Sequence, residues 1–344
     1  MEMVDLRSDT VTQPTQAMRE AMAQAEVGDD VFGEDPTINR LQKLAAERMG
    51  KEEGLFVPSG TMGNLAAVLA HCNRGDEAMM GHLGHTFLFE GGGVAALGGV
   101  NPRTLLNQPD GTLKLDDISA GIRSDDPHYP VSRVVILENT HNRCGGTPLT
   151  VEYTRRVGEL VHANHMQLHL DGARIFNAAV ALGVPASELA KPADSVTFCL
   201  SKALCAPVGS VLCGYGDFIY RARRIRKQLG GGMRQAGILA AAGIIALEQM
   251  VDRLSEDHQR ARSLAAALVK VAGLKVDTTQ PSTNMVYANL SDDVQMSAFQ
   301  VAAKMKEFNV RVGIVNPRRF RMVLHYYIDD EGVERTIRAF QQVF

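Results

Sequence analysis

Residues 167–171 read Gln-Leu-His-Leu-Asp, and residues 195–202 read Ser-Val-Thr-Phe-Cys-Leu-Ser-Lys. Both are short, nearly continuous apolar runs, the pattern of strands buried on both faces of a parallel sheet. The first ends on a carboxylate, Asp171, and the second is followed by an amine, Lys202. In open α/β sheets ligands bind outside the carboxyl ends of the strands. A strand-end aspartate and a strand-end lysine are therefore candidates for one site. Taken singly, Lys202 could open a solvated loop, and Asp171 could cap a helix beginning at Gly172.

Similar runs lie at 54–57 (GLFV), 133–137 (RVVIL) and 209–213 (GSVLC), with helical patterns at 62–71 and 150–164. Strands alternating with helices predict an α/β fold with a mostly parallel sheet. Beyond residue 250 the pattern changes. A long helical stretch at 252–271 precedes β-rich runs at 274–278, 284–290, 309–315 and 321–327, with helices near 294–308 and from about 330. Two domains are expected: 1–250, an amino-terminal segment with the large domain, and 251–344, a smaller α+β domain. Pro58-Ser59-Gly60-Thr61-Met62-Gly63-Asn64 joins the run 54–57 to a helical pattern. Such a turn offers backbone N–H groups at a helix start, which suits a phosphate. A phosphate turn, a strand-end Asp and a strand-end Lys together meet the needs of pyridoxal phosphate, whose pyridinium nitrogen pairs with a carboxylate and whose aldehyde condenses with an amine.

Composition narrows the alternatives. The chain has 344 residues, 45% of them hydrophobic, 22% charged, and a net charge of -3. Neither a nucleic-acid nor a membrane-surface partner is expected, since both favour a cationic face. Five basic residues occur within 221–227, a cluster that fits a solvated helix face or a subunit interface. The longest apolar run, 236–247, is too short to span a bilayer, which takes about 20 residues. Five cysteines without a CxxC pair point to a reducing cytoplasm. His82, His85, His162, His165 and His169 show no metal-site spacing, and no metal is expected. GxGxxG is absent, so nothing supports a nicotinamide cofactor.

Longer motifs run through the chain: DLRSDTVT at 5–12, GDDVFGEDP at 28–36, FVPSGTMGN at 56–64, LENTHN at 137–142, LHLDGARIFNA at 168–178, CLSKALCAPVGS at 199–210 and GGGMRQAG at 230–237. With these the sequence resembles the low-specificity L-threonine and L-allo-threonine aldolases over nearly its whole length. These are pyridoxal-phosphate enzymes of the aspartate-aminotransferase-like fold type I. The resemblance implies a seven-stranded sheet in the large domain, retro-aldol cleavage of L-threonine or L-allo-threonine to glycine and acetaldehyde, and a homotetramer with active sites at subunit interfaces. It also implies roles for residues at matching motif positions. Lys202 holds the cofactor as a Schiff base, Asp171 pairs with its ring nitrogen, Gly60 and Thr61 bind its phosphate, and His85 stacks on its ring near the substrate hydroxyl. Ser8, Arg174 and Arg321 hold the substrate carboxylate, Arg174 also lying near the ring. His128 approaches the β-hydroxyl. Lys227 and Arg234 reach the phosphate of a neighbouring subunit. His85 and His128 are both candidates for the base, directly or through water.

One departure lies beside the lysine. Where the family reads Gly-Leu-Gly-Ala-Pro, this chain has Ala203-Leu204-Cys205-Ala206-Pro207. Both replacements are small, so altered packing rather than lost chemistry is expected. The same fold also serves β-eliminating lyases and aminotransferases, and a cofactor-binding protein without turnover is a further alternative.

Overall fold

The computed structural model describes residues 3–278 and 280–344. The chain divides into two compact units, one of Pro14–Val251 and one of Met1–Gln13 with Asp252–Phe344. Among the described residues the strands are β1 (Val4–Leu6), β2 (Glu53–Val57), β3 (Glu77–Gly81), β4 (Asn101–Leu105), β5 (Ser132–Glu138), β6 (Gln167–Asp171), β7 (Ser195–Cys199), β8 (Ser210–Gly214), β9 (Leu274–Val276), β10 (Met285–Leu290), β11 (Val310–Asn316) and β12 (Arg319–Val323). The first residues, expected with the larger domain, belong to the smaller unit. The reason is a parallel pairing of β1 with β11, Val4 opposite Val310 and Leu6 opposite Val312.

The larger unit is built on a seven-stranded sheet in the order β2-β8-β7-β6-β5-β3-β4. β4, β3, β5, β6 and β7 run parallel, and β8 runs antiparallel to β7 and β2. This is the mostly parallel α/β sheet that the strand pattern predicts. β3, β7 and β8 are buried along their full length, as strands covered on both faces must be. The register sets Glu138 opposite Asp171 and Asp171 opposite Thr197. The carboxyl ends of β5, β6 and β7 therefore share one edge, and the segment leading to Lys202 leaves from it. The apolar run at 236–247 forms most of the helix Gly237–Gln249, which packs on the helices Gln16–Ala23 and Pro36–Met49. Its small residues allow the close approach, with Gly243 set against Leu200 and Leu41. Among the described residues no helix is long and apolar enough to cross a membrane.

Two of the motifs hold each other. Asp30 and Arg226, 4% and 3% exposed, form an ion pair at 2.7 Å, and Arg226 also donates to the Phe56 carbonyl at 2.8 Å. Asp29 pairs with Arg234 at 2.9 Å. Asp35 caps the helix Pro36–Met49 through the amides of Thr37 and Ile38, and its other oxygen accepts from the Gly237 amide at 2.8 Å. Gly28 has no alternative, because a Cβ there would lie 2.2 Å from the Glu34 carbonyl oxygen. The acidic stretch 28–36 is thus a clasp on the segment 226–237.

The smaller unit is a five-stranded sheet in the order β1-β11-β12-β10-β9. Its core is apolar, with Phe320 packed edge-on against Phe340 at 5.8 Å. Arg321 on β12 donates to the Arg7 carbonyl at 3.1 Å, which sets it beside the segment bearing Ser8. Ser8 itself caps the short turn Asp9–Val11.

Removing one partner of a buried ion pair leaves an uncompensated charge. Arg226→Ala should therefore destabilise the fold by about 3–5 kcal/mol, read as a lower denaturation midpoint in urea. A midpoint within error of the wild type would show that the clasp contributes nothing.

Candidate active site

The helix Gly60–His71 follows β2 and starts on an N-cap at Ser59, whose hydroxyl accepts from the Met62 amide at 3.2 Å. The first amides of any helix have no partner within it, so those of Gly60 and Thr61 stand at the positive end of the helix dipole. Gly63 lets this helix lie on β7, since a Cβ there would meet the Thr197 methyl at 2.5 Å. Asp171 closes β6 and is 2% exposed. It does not cap the next helix: Arg174, 7% exposed, occupies that position ahead of Ile175–Leu182. Asp171 Oδ1 instead accepts from the Ala173 amide at 3.2 Å.

Lys202 follows β7 in a tight turn, its carbonyl accepting from the Cys205 amide at 2.9 Å. Cys205 is fully buried and sits in the left-handed region at φ 65°. A glycine adopts that conformation without strain, so Cys205 carries a side chain on a backbone shape that favours glycine. Its thiol contacts the Ala203 carbonyl at 3.6 Å.

His85 opens the short helix His85–Leu88 after β3. Its amide donates to Glu138 Oε2 at 2.7 Å, and the other oxygen of Glu138 accepts from the Asn142 amide at 2.8 Å. Glu138, at the end of β5, thereby ties two loops to the same sheet edge. The His85 imidazole meets Glu90 through Nδ1 at 2.9 Å. That hydrogen bond holds the imidazole above its ordinary range against the cost of burial, aided by the charge of Asp171 and opposed by that of Lys202. Glu90 is raised in turn, chiefly by burial. Polar atoms of His85, Glu90 and Asp171 lie within 4.8 Å of one another, a set that could hold a cation and that the spacing of the histidines does not reveal. Glu90 Oε2 is buried with no partner among the described residues.

Pyridoxal phosphate fits this arrangement of donors. A buried carboxylate suits a pyridinium nitrogen, a helix start suits a phosphate, an amine suits the aldehyde and an imidazole suits the ring face. Gly60, Thr61, His85, Asp171, Arg174 and Lys202 all belong to the larger unit, and Ser8 and Arg321 adjoin each other in the smaller one. His128 is not gathered with the former group. Its side chain is 85% exposed and paired with Asp126 at 2.6 Å, on the segment that enters β5 at its amino end. β6 runs parallel to β5, so Asp171 lies at the other end of the sheet, about 20 Å along a seven-residue strand. Arg234 is turned to Asp29 of its own chain, and Lys227 is exposed on the helix Gly216–Gln228. Glu90, Asn64 and Glu138 escape sequence reading. Their only signal is proximity, Glu90 five residues after His85 and Asn64 four after Gly60.

A family profile described as beta-eliminating lyase matches residues 5–291. A probable low-specificity L-threonine aldolase 2 of Arabidopsis thaliana is 49% identical over 344 residues, covering 99% of this chain and 97% of its own. The low specificity L-threonine aldolase of Escherichia coli (strain K12) is 48% identical over 310 residues, 90% of each chain. The solved threonine aldolase of Leishmania major superposes with a TM-score of 0.82 at 19% identity, covering 98% of both chains, and shares the fold. The chain belongs to the beta-eliminating lyase family and, within it, to the low-specificity L-threonine aldolases.

Proposed function

We propose that the carboxyl edge of β5, β6 and β7 is the catalytic centre of an L-threonine aldolase. The protein is a pyridoxal-phosphate enzyme that cleaves L-threonine and L-allo-threonine reversibly to glycine and acetaldehyde. The observation that carries the site is the meeting of a buried Asp171 with His85 at the edge from which Lys202 departs. When bound, pyridoxal phosphate supplies the electron sink for the pair released as the Cα–Cβ bond breaks.

The chain's own residues do the rest. Lys202 would provide the amine that holds the cofactor. Asp171 holds a proton at the ring nitrogen, and burial strengthens that pairing. The Gly60 and Thr61 amides take the phosphate. Arg174, Ser8 and Arg321 take the substrate carboxylate, for which a guanidinium fork is suited. A fixed carboxylate orients the Cα–Cβ bond, and orientation selects the bond that breaks. His85 is the base for the β-hydroxyl proton. Its Nδ1 is engaged by Glu90, which leaves Nε2 for the substrate.

Other assignments need a second subunit. His128 at the amino end of β5, with Lys227 and Arg234 on the surface, serves a neighbour's site within a homotetramer. Five buried cysteines support a cytoplasmic home.

Acetaldehyde release from L-threonine and L-allo-threonine, with and without added pyridoxal phosphate, tests the activity. Cofactor-dependent release from either is expected. Pyruvate or ammonia in its place would transfer the protein to the β-eliminating reaction. Lys202→Ala should lose both turnover and the visible absorbance of lysine-bound cofactor, and a retained band would sink the assignment. Asp171→Ala should lower kcat/KM at least 100-fold, about 2.7 kcal/mol of barrier; near-normal rates would remove its role. Glu90→Gln takes away the negative charge that favours protonated His85, so the imidazole loses its proton at lower pH. The acid limb of the kcat/KM profile should shift downward, and an unmoved limb would rule out the Glu90–His85 pair as its source.

A further inference from the structure

A largely buried chain of hydrogen bonds runs away from Asp171 through Asn64, His169, Ser195 and His71. Asn64 is 1% exposed. Its amide nitrogen lies 2.9 Å from Asp171 Oδ2 and 2.9 Å from Glu90 Oε1, so one N–H goes to each carboxylate. Turned over, the amide would point its oxygen at two carboxylates, so the orientation follows from chemistry. Asn64 Oδ1 then faces His169 Nε2 at 3.2 Å, and that nitrogen must carry a hydrogen.

The next links have no freedom either. His169 is fully buried, and burial drives its pKa down to about 4, so the ring is neutral with one N–H. Its Nδ1 is therefore a lone pair, and the hydrogen in the 2.8 Å contact with Ser195 Oγ belongs to the serine. Having given its hydrogen, Ser195 Oγ accepts from His71 Nε2 at 2.7 Å. His71 is neutral too, pushed to about 3 by burial, and is stacked on Phe218 at 4.5 Å. Every donor points the same way, from His71 through Ser195, His169 and Asn64 to the carboxylates. Hydrogen bonds aligned in series polarise one another, and the low dielectric of the interior enlarges the effect.

We propose that Asn64, held by His169, Ser195 and His71, is a positioning residue that aims Asp171 and sets its basicity toward the ring nitrogen of the cofactor. This rests on the reading of Asp171 as the ring-nitrogen partner. A network that only satisfied buried groups would tolerate either direction. Here the two carboxylates at one end impose the direction on all the links.

The test uses holoenzyme reconstituted with pyridoxal phosphate labelled with 15N at the ring. The solid-state 15N shift and the dissociation constant from apoenzyme are measured for Asn64→Leu, Ser195→Ala and Asp171→Asn. Asn64→Leu should move the ring nitrogen toward the shift of a neutral pyridine and weaken cofactor binding by about 10- to 100-fold, the range for lost outer partners of a ligand. Ser195→Ala should move both in the same direction by less, because Asn64 remains. Wild-type shift and affinity in folded Asn64→Leu and Ser195→Ala would overturn the proposal, as would a lower melting temperature with the shift unmoved. If Asn64→Leu does not fold, Ser195→Ala decides alone. Asp171→Asn separates the two readings. If it leaves the shift unchanged, the role of Asp171 fails; if it moves the shift while the other two do not, only the relay fails.

Discussion

A carboxylate kept out of water is the constraint on which the rest of the larger unit turns. Asp171 is 2% exposed, and a buried charge is tolerated only with partners. The backbone gives it one, the Ala173 amide, and a side chain gives another, Asn64. A parallel sheet suits the purpose. Its strand ends lie level, so a residue closing β6 is flanked by the ends of β5 and β7, the edge where such sheets bind ligands. The helix Gly60–His71 then supplies a positive end at the same edge.

The negative charge is concentrated further by Glu90, within 4.8 Å of Asp171. Burial, and after it the charge of Asp171, holds Glu90 above its ordinary range. The arrangement shares the load among Asn64, which donates to both, and His85, which is raised by Glu90. The cluster is thus a buried, acidic edge that favours a cationic group.

Distance from the chemistry does not make a motif dispensable. The stretch 28–36 carries Asp29, Asp30 and Asp35, and each is spent on Arg234, Arg226 or the Gly237 amide. Arg226 also holds the Phe56 carbonyl, two residues before the turn that begins at Pro58. The clasp therefore braces the strand that delivers that turn. The basic cluster at 221–227 fits a solvated helix face or a subunit interface in sequence, because nothing local shows that Arg226 faces inward.

Sequence alone determined what repeats along the chain or ends an element. Apolar runs at 54–57, 133–137, 167–170, 195–200 and 209–213 appear as β2, β5, β6, β7 and β8. Their ends placed Asp171 and Lys202 at one edge, and the turn at 58–64 placed a helix start beside them, because strand and helix periods are local properties. β3 was less legible, since Glu77-Ala-Met-Met-Gly81 carries no β-branched or aromatic residue. Tertiary structure decided the rest. Pairing of β1 with β11 took the first residues into the smaller unit, a contact across some three hundred residues. Burial and partners chose Glu90 for His85, Asn64 for Asp171 and Asp29 for Arg234, and left His128 at the far end of the sheet. A hydrogen bond depends on distances between side chains that only the packed chain sets, so no local pattern could announce those pairs.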